Sequence, residues 1–548
     1  MDLTREHAAR TDASAPFGAG NLIGSGAGVP FIRINAAGGE ARVTGMPRGF
    51  VGHRLLLDDD SRPRGLFAEW SWDGTTLNAR VDPLGFFTLF VYAKGSEIVL
   101  SPSILQLLAQ DADPTPDHVA LAVFHRIGFF VETDTPFRHI RTLPPGGRLT
   151  WRDGVLQVQG GAPAPQTRDD LTRAQAVEAF IELPRAAIRR FLQAWEGPVT
   201  LPLSGGRDSR HILLEMVHQG RKPDTCVTFH HGGQVLNSEV QAARAIAGRA
   251  GVHHTILGRP QMRLRNSLRA MFLTQLCSDE HAQMMPMHDF LRGSPSAVFD
   301  GIGGDILTNP DDAAAGFQAR ARRDDYEGIA IGMAEGHGSV LGRTGQRHHG
   351  GPGGVFSPGL ETEAIGRIAA AIRMFRDAPD PYQAFWFWNR TRREISFTST
   401  GVLGGAAMVY GPYLDPEFVD LGLALPWSVT CDQKLHDDAI ALAFPEYSDI
   451  PYAEGFPGEP MRRNPLLRAA RGMDMLYVAL LAGGPAAVRD LGRVTPLRRE
   501  ASDLYRLHKA FVEGMNAQEA RRLMALEQRL ARAAPRDEAM VTNVHSGD

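Results

Sequence analysis

Six residues constrain this chain more than any others: Ser204-Gly205-Gly206-Arg207-Asp208-Ser209. They follow the apolar run VTLPL (199–203) and lead into HILLEM (211–216). An apolar run that breaks at two glycines and resumes with helical periodicity is a strand–turn–helix unit. The glycines permit a tight turn and close approach of backbone to a phosphate chain. Backbone N–H groups and serine hydroxyls then face the phosphates, and the helix N-terminus favours their charge. A carboxylate in such a turn repels phosphate unless it holds Mg²⁺, which assigns that role to Asp208. The string is neither a Walker A loop nor GxGxxG. Ser204, Gly205, Gly206, Asp208 and Ser209 are therefore candidate nucleotide-binding residues.

The segments that follow, DTCVTFHHGG, SEVQAARAIAGRAGV and HHTIL, continue as strand, helix, strand. This predicts a parallel sheet flanked by helices. The chain before residue 160 reads differently. FIRIN, GLFAEWSWDG, TLNARVDPLG, FFTLFVYAKG and SEIVLSPS are short strands separated by turn residues, and GGRLTWRDGVLQVQ is a hairpin about Asp153-Gly154. SILQLLAQ and HVALAVFHRIG read as helices. The Pro/Gly-rich stretch 160–170 is a linker, which gives domains over 1–160 and 171–548. A helix beginning near residue 172 is expected to break at Pro184. From about residue 360 the chain reads as mostly helical, ending in a helical C-terminal extension. Residues 1–30 are a loose Gly/Ala/Ser-rich start. Residues 335–358 are a Gly/His-rich loop whose His348-His349 pair reads as solvated polar residues rather than metal ligands.

Composition removes several function classes. With 58 basic and 62 acidic residues in 548, there is no electrostatic footprint for nucleic acid. The three cysteines, Cys226, Cys277 and Cys431, are too scattered for a disulfide scaffold or a CxxC zinc site. No run of about 18 apolar residues predicts a membrane span. The start MDLTREHAAR lacks the layout of a signal peptide, so a cytoplasmic protein is expected. Only four lysines occur, Lys94, Lys222, Lys434 and Lys509, so lysine chemistry has few candidates.

A second glycine turn, Asp300-Gly301-Ile302-Gly303-Gly304-Asp305, lies about 100 residues beyond the first. Together with SGGRDS it resembles the pyrophosphate-loop ATP site of the asparagine synthetase family, and the resemblance extends over about residues 65–460. It implies enzymes that split ATP into AMP and pyrophosphate while activating a carboxylate as an acyl-adenylate. It implies Asp208 and Asp305 as Mg²⁺ ligands and catalytic groups, Gly303 and Gly304 as part of the ATP site, and Phe229 and Leu203 at the adenine. Two carboxylates from separate turns suit an Mg²⁺–pyrophosphate leaving group. Gly411-Pro-Tyr-Leu-Asp415 is similar to a further family string, as is LHDDAIALAFPE. Lys434 heads that helix, a structural position in the pattern that also reaches phosphate.

The first domain resembles the glutaminase-type (Ntn, α+β sandwich) domain of asparagine synthetases. Residue 2 is Asp2 and no cysteine precedes Cys226, so the glutaminase nucleophile is missing. The fold class implied is α/β: an inactive glutaminase-like domain followed by a pyrophosphate-loop domain. Further departures narrow the branch. Where β-lactam synthetases carry a catalytic tyrosine, this chain has Ile302. Where the family carries a late lysine, it has Ala453. Glu394, twenty-one residues before Asp415, falls where the family places a carboxylate, and is the candidate base or substrate-orienting group. The pattern is most similar to the lasso-peptide macrolactam synthetases. That resemblance implies a precursor peptide as substrate, a leader-recognition protein and a protease as partners, and ring closure by the peptide's own N-terminal amine. Such an amine, with a pKa near 8, needs only modest help from a base. The aromatic run Phe385–Trp388 is expected in a helix core, with a peptide cavity as the other reading. An ammonia-using asparagine synthetase or another small-molecule amide ligase is the alternative. A nucleotide-binding scaffold and a tRNA-modifying enzyme fit the residues less well.

Overall fold

The computed structural model describes residues 28–532 and 541–544, apart from 38–40, 56–61, 169, 231–235, 258–262, 279, 309–312 and 337–357. Between 460 and 507 it describes only short helical pieces from 466 to 478. The His348-His349 loop and nearly all of residues 1–30 thus lie outside the described residues.

Residues 28–159 build two five-stranded antiparallel sheets. One orders its strands Arg42–Gly45, Ile32–Asn35, Glu97–Ser101, Phe90–Lys94, Ile140–Thr142. The other runs Val155–Gln159, Arg148–Arg152, Leu77–Val81, Phe67–Trp72, Arg48–Gly52. Alternation sets the faces: Leu77, Ala79 and Val81 are buried, while Asn78 and Arg80 turn outward. The hairpin Arg148–Arg152 to Val155–Gln159 closes through Asp153 and Gly154, both at positive φ (51° and 83°). Two such residues match the right-handed strand twist. The helix His118–Ile127 starts on an Asp117 cap and stops at left-handed Gly128, as its sequence dictates.

The second half is organised by a six-stranded sheet in the order Met408–Tyr410, Ala297–Phe299, Val199–Pro202, Thr225–Phe229, His254–Leu257, Val541–Val544. The first five strands are parallel. The last lies antiparallel on the edge of His254–Leu257, so the C-terminal region adds a strand as well as the expected helix Ala517–Arg532. The chain leaves Val199–Pro202 on one side, through Thr225–Phe229 to His254–Leu257, and then crosses back to Ala297–Phe299 on the other side. In open α/β sheets that reversal opens a crevice at the carboxyl ends of the strands. Both glycine turns emerge there.

Two readings of the sequence need correction. The helix Arg173–Ala194 runs through Pro184 without a break for 22 residues. Its Thr172/Gln175 capping box fixes the start, and burial of Phe180, Ile181, Ala187, Ile188 and Phe191 offsets the hydrogen bond the proline cannot make. Residues Phe387–Ile395 and Thr398–Val402, expected as ordinary helix, are π-helical. This wide helix is wedged between the halves of the molecule. Asn389 accepts from the Glu132 N–H (2.9 Å), Arg393 donates to the Asp134 carbonyl (2.5 Å), and Arg392 donates to the Glu132 carbonyl. No described helix is long and apolar enough to cross a membrane.

Candidate active site

A cleft of about 690 Å³ opens at the crevice. Its floor is the two glycine turns: Ser204, Asp208 and Ser209 from one, Asp300, Gly301, Gly303 and Asp305 from the other. Its wall is the π-helical segment with Glu280 and Met284, and Ile127 reaches in from the antiparallel half.

The first turn is held by its own hydroxyls. Ser209 Oγ accepts from the Ser204 N–H (3.0 Å), Ser204 Oγ accepts from the Gly206 N–H (3.1 Å), and the two hydroxyls lie 3.0 Å apart. The helix Arg207–His218 then begins at Gly206 with no side chain capping it. Its leading N–H groups are left for a ligand, which suits an anion. Gly205 is required by packing: a Cβ there would sit 2.6 Å from Ala453 Cβ and 2.8 Å from Glu239 Cα. The Ala453 N–H also donates to the Gly205 carbonyl (3.0 Å), so the loop where the family lysine was sought docks directly on the turn.

The second turn comes close to Asp208 because Gly301 and Gly304 carry no side chain there. A Cβ on Gly301 would meet Asp208 Cβ at 2.6 Å, and one on Gly304 would meet Asp208 Oδ1 at 2.5 Å. Gly303 sits at φ +93°, a conformation that L side chains rarely adopt. Asp208 and Asp305 therefore share one site, with Asp300 beside them. Burial, reinforced by Asp305 and Asp300, pushes the Asp208 carboxyl well above the usual carboxylate range. A cation relieves such crowding. Asp208 Oδ1 has no hydrogen-bond partner. No described group of three or more His, Cys, Asp or Glu side chains forms a metal cage. Mg²⁺ is commonly held by one or two carboxylates plus substrate phosphates, so the residues fit Mg²⁺ bound with a polyphosphate.

Behind the floor runs a buried chain of polar groups. His436 Nδ1 approaches Asp208 Oδ1 (3.3 Å), His436 Nε2 meets His211 Nδ1 (3.2 Å), His211 Nε2 lies 3.6 Å from Glu215, and Arg185 clasps Glu215 through two bonds (2.8 and 3.0 Å). Burial holds the His436 imidazole well below its usual range, so it is neutral. The Tyr413 hydroxyl donates to the Asp208 carbonyl (3.2 Å). Arg207 is engaged with Asp437 (2.5 and 3.1 Å) and lies over the Tyr452 ring.

The other sequence candidates are not all brought here. Leu203 is buried, bonded to Val227 and Thr228, one residue below the turn. Phe229 is half-buried at the carboxyl end of the neighbouring strand, packed against an apolar cluster with Val227 and Leu257 and outside the cleft lining. Lys434 is exposed at the start of the helix Leu435–Ala443, also outside the lining. Of the aromatic run, Trp386 lines the cleft. Phe385, Phe387 and Trp388 are core; Phe385 packs on Phe129 and Phe387 on Phe86.

Glu394 is neither on a helix surface nor in the cleft. It is 1% exposed, accepts from Ser278 Oγ (2.6 Å), and lies 2.7 Å from His281 Nε2. Burial raises its pKa, but His281 more than reverses this and leaves the carboxyl below its ordinary value. For His281, burial lowers the pKa, and Glu394 overcomes it and raises the imidazole above its usual range. Glu394 is connected to the cleft only through His281, whose Nδ1 lies 3.0 Å from Oγ1 of Thr398, a lining residue. Glu280, Arg390 and Thr398 carry no sequence signal: they come from two separate segments, and no local spacing marks them, whereas Asp300 opens the second glycine turn.

No family model matches the chain, and no curated protein matches it. Among solved structures it is similar to the glutamine phosphoribosylpyrophosphate (PRPP) amidotransferase of B. subtilis complexed with ADP and GMP, at 11% identity. The match covers 45% of this chain and 44% of that one with a TM-score of 0.12, which carries no argument about fold or activity.

Proposed function

We propose that this chain is an ATP-dependent carbon–nitrogen ligase of the asparagine synthetase type, with a glutaminase-like first domain that has no nucleophile. It activates a side-chain carboxylate of a precursor peptide and closes a macrolactam with the peptide's N-terminal amine, releasing AMP and pyrophosphate. One observation carries the reading: two glycine turns bring Asp208 and Asp305 together at an uncapped helix N-terminus.

On this reading Ser204, Gly205, Gly206, Ser209 and the leading N–H groups of Arg207–His218 hold the phosphates, and Gly303 and Gly304 keep the second turn close enough to share them. Asp208 and Asp305 hold Mg²⁺, which neutralises charge on the departing pyrophosphate. The Tyr413 hydroxyl holds the Asp208 backbone, and His436 lies beside the Asp208 carboxyl. The wall, with Ile127, Met284, Trp386 and Ile395, gives the acyl donor an apolar seat, and Arg390 supplies a cation beside it. Holding amine and activated carboxyl of one peptide in one cleft supplies much of the rate by proximity.

The test is ATP–pyrophosphate exchange with the leaderless precursor peptide from the same gene neighbourhood, and separately with aspartate. Exchange and a mass loss of about 18 Da (one water, lost when an amine and a carboxyl condense) with peptide alone support ring closure. Exchange with aspartate, and asparagine formed on adding ammonia, replaces it with the small-molecule reading. No exchange with either removes the ligase assignment.

A further inference from the structure

We propose that Thr398, His281 and Glu394 form a proton relay that removes the proton the attacking amine must lose. The proposal rests on the ligase reading above and adds residues to it. Glu394 Oε1 lies 2.7 Å from His281 Nε2, and His281 Nδ1 lies 3.0 Å from Thr398 Oγ1. Thr398 lines the cleft beside Asp300, Ile302 and Ile395. Carboxylate, imidazole and hydroxyl in that order, with only the hydroxyl meeting substrate, is the arrangement by which hydrolytic triads move a proton. Here the carboxylate holds Nε2 and the hydroxyl meets Nδ1.

The supports are as defined as the relay. Ser278 Oγ donates to Glu394 Oε1 (2.6 Å) and fixes the carboxylate. The backbone carbonyl of Glu394 also lies 3.3 Å from His281 Nε2. Ser399, next to Thr398, donates to Asp300 Oδ2 (2.5 Å), which ties the relay's end to the floor. The charged groups acting on the pair are Glu280 and Asp300 around His281 and Arg390 near Glu394. Ile302, in the same lining, offers no proton acceptor.

The step balances. The neutral amine forms the C–N bond while the C–O bond to the nucleotide breaks, and the nucleotide leaves with that electron pair. One proton leaves nitrogen for Thr398 Oγ1 as the hydroxyl's own hydrogen passes to His281 Nδ1. The resulting imidazolium is faced by Glu394, and its proton returns to solvent when product departs. Thr398 is the catalytic group; His281 and Glu394 act through it.

The experiment separates activation from closure. Thr398→Val keeps the shape and removes the hydroxyl; Thr398→Ser keeps the hydroxyl. Both are assayed for ATP–pyrophosphate exchange and for ring closure across pH, with Mg²⁺, ATP and the leaderless precursor peptide. The expected result is exchange within about twofold of wild type and closure slowed about 10²-fold in the valine variant, with closure restored by serine. The relay runs with His281 neutral, so the wild-type closure rate should fall as pH drops through the raised folded pKa of His281, and the valine variant should lose that dependence. Wild-type closure by Thr398→Val overturns the relay. So does a serine variant as slow as the valine one, because the loss is then one of packing. No exchange by wild type overturns the ligase reading, and the relay with it.

Discussion

The floor and the wall of the cleft are made by different means. The floor is local. Two short strings, 204–209 and 300–305, each fold on their own glycines, and each string announces its chemistry in the order of its residues. The wall is assembled from distant parts: Glu280 and His281 from one segment, the π-helical residues 386–398 from another, Ile127 from the antiparallel half. The wall's shape depends on buried arginines, Arg392 and Arg393, that bond carbonyls of the antiparallel half. A floor of this kind tolerates change elsewhere in the chain. A wall of this kind depends on contacts from the antiparallel half.

The sharpest way to break the comparison is at the floor. Asp208→Asn should abolish ATP–pyrophosphate exchange, a loss of about 10³-fold or more, because charge stabilisation at the leaving group is usually the largest catalytic contribution. Exchange near the wild-type rate would remove Asp208 as a metal ligand. Gly304→Ala forces a Cβ to 2.5 Å from Asp208 Oδ1. The expected cost is about 1–3 kcal/mol, read as an exchange rate about 5- to 150-fold lower with the melting temperature little changed. An unaffected rate would mean that the two turns need not approach so closely.

The wall gives a pH signature instead. Glu394 is held below its unfolded value of 4.5, so its contribution is present above that value and is lost as pH falls through the folded pKa. His281 is held above its unfolded 6.5, so its contribution is full below 6.5 and is lost as pH rises through the folded pKa. The pair stabilises most between those two unfolded values. Glu394→Gln should therefore destabilise most in that window, by about 1–3 kcal/mol, with a smaller difference on either side. Urea midpoints measured across pH check this; a difference that does not vary with pH would mean the pair is not ionic. The smallest effect is expected at Lys434→Ala. That side chain is exposed outside the cleft, and exchange should stay within about twofold. A larger loss would bring the start of the helix Leu435–Ala443 back into the phosphate site.

Legibility follows the same division. The strands FIRIN and SEIVLSPS, the Asp153-Gly154 hairpin, the helix HVALAVFHRIG and both glycine turns could be read directly, because alternation, capping and positive-φ residues act within a few positions. The continuity of Arg173–Ala194 through Pro184 could not. Propensity there is overridden by an apolar face that only the folded core supplies. The same holds for the edge strand Val541–Val544, which exists through pairing with His254–Leu257 almost 300 residues earlier. Glu394 shows the limit most clearly. The resemblance marks its position as a candidate base or substrate-orienting group, but nothing in RTRREISF shows what surrounds it. Burial beside His281 and Ser278 turns it into half of an ion pair behind the wall.

The sequence by itself determined where the chain turns, where the helix Arg207–His218 starts, and that two aspartates accompany two glycine turns. Backbone conformation and local charge decide these, and both are written within six residues. Tertiary structure alone decided that the two aspartates meet, that Phe229 and Lys434 stay outside the cleft, and that Thr398 stands at the end of a buried carboxylate–imidazole pair. Those outcomes depend on strand order, on the missing Cβ atoms that let one turn press on another, and on a π-helix held open by contacts from the other half of the molecule. None of these acts between residues that are neighbours in the chain.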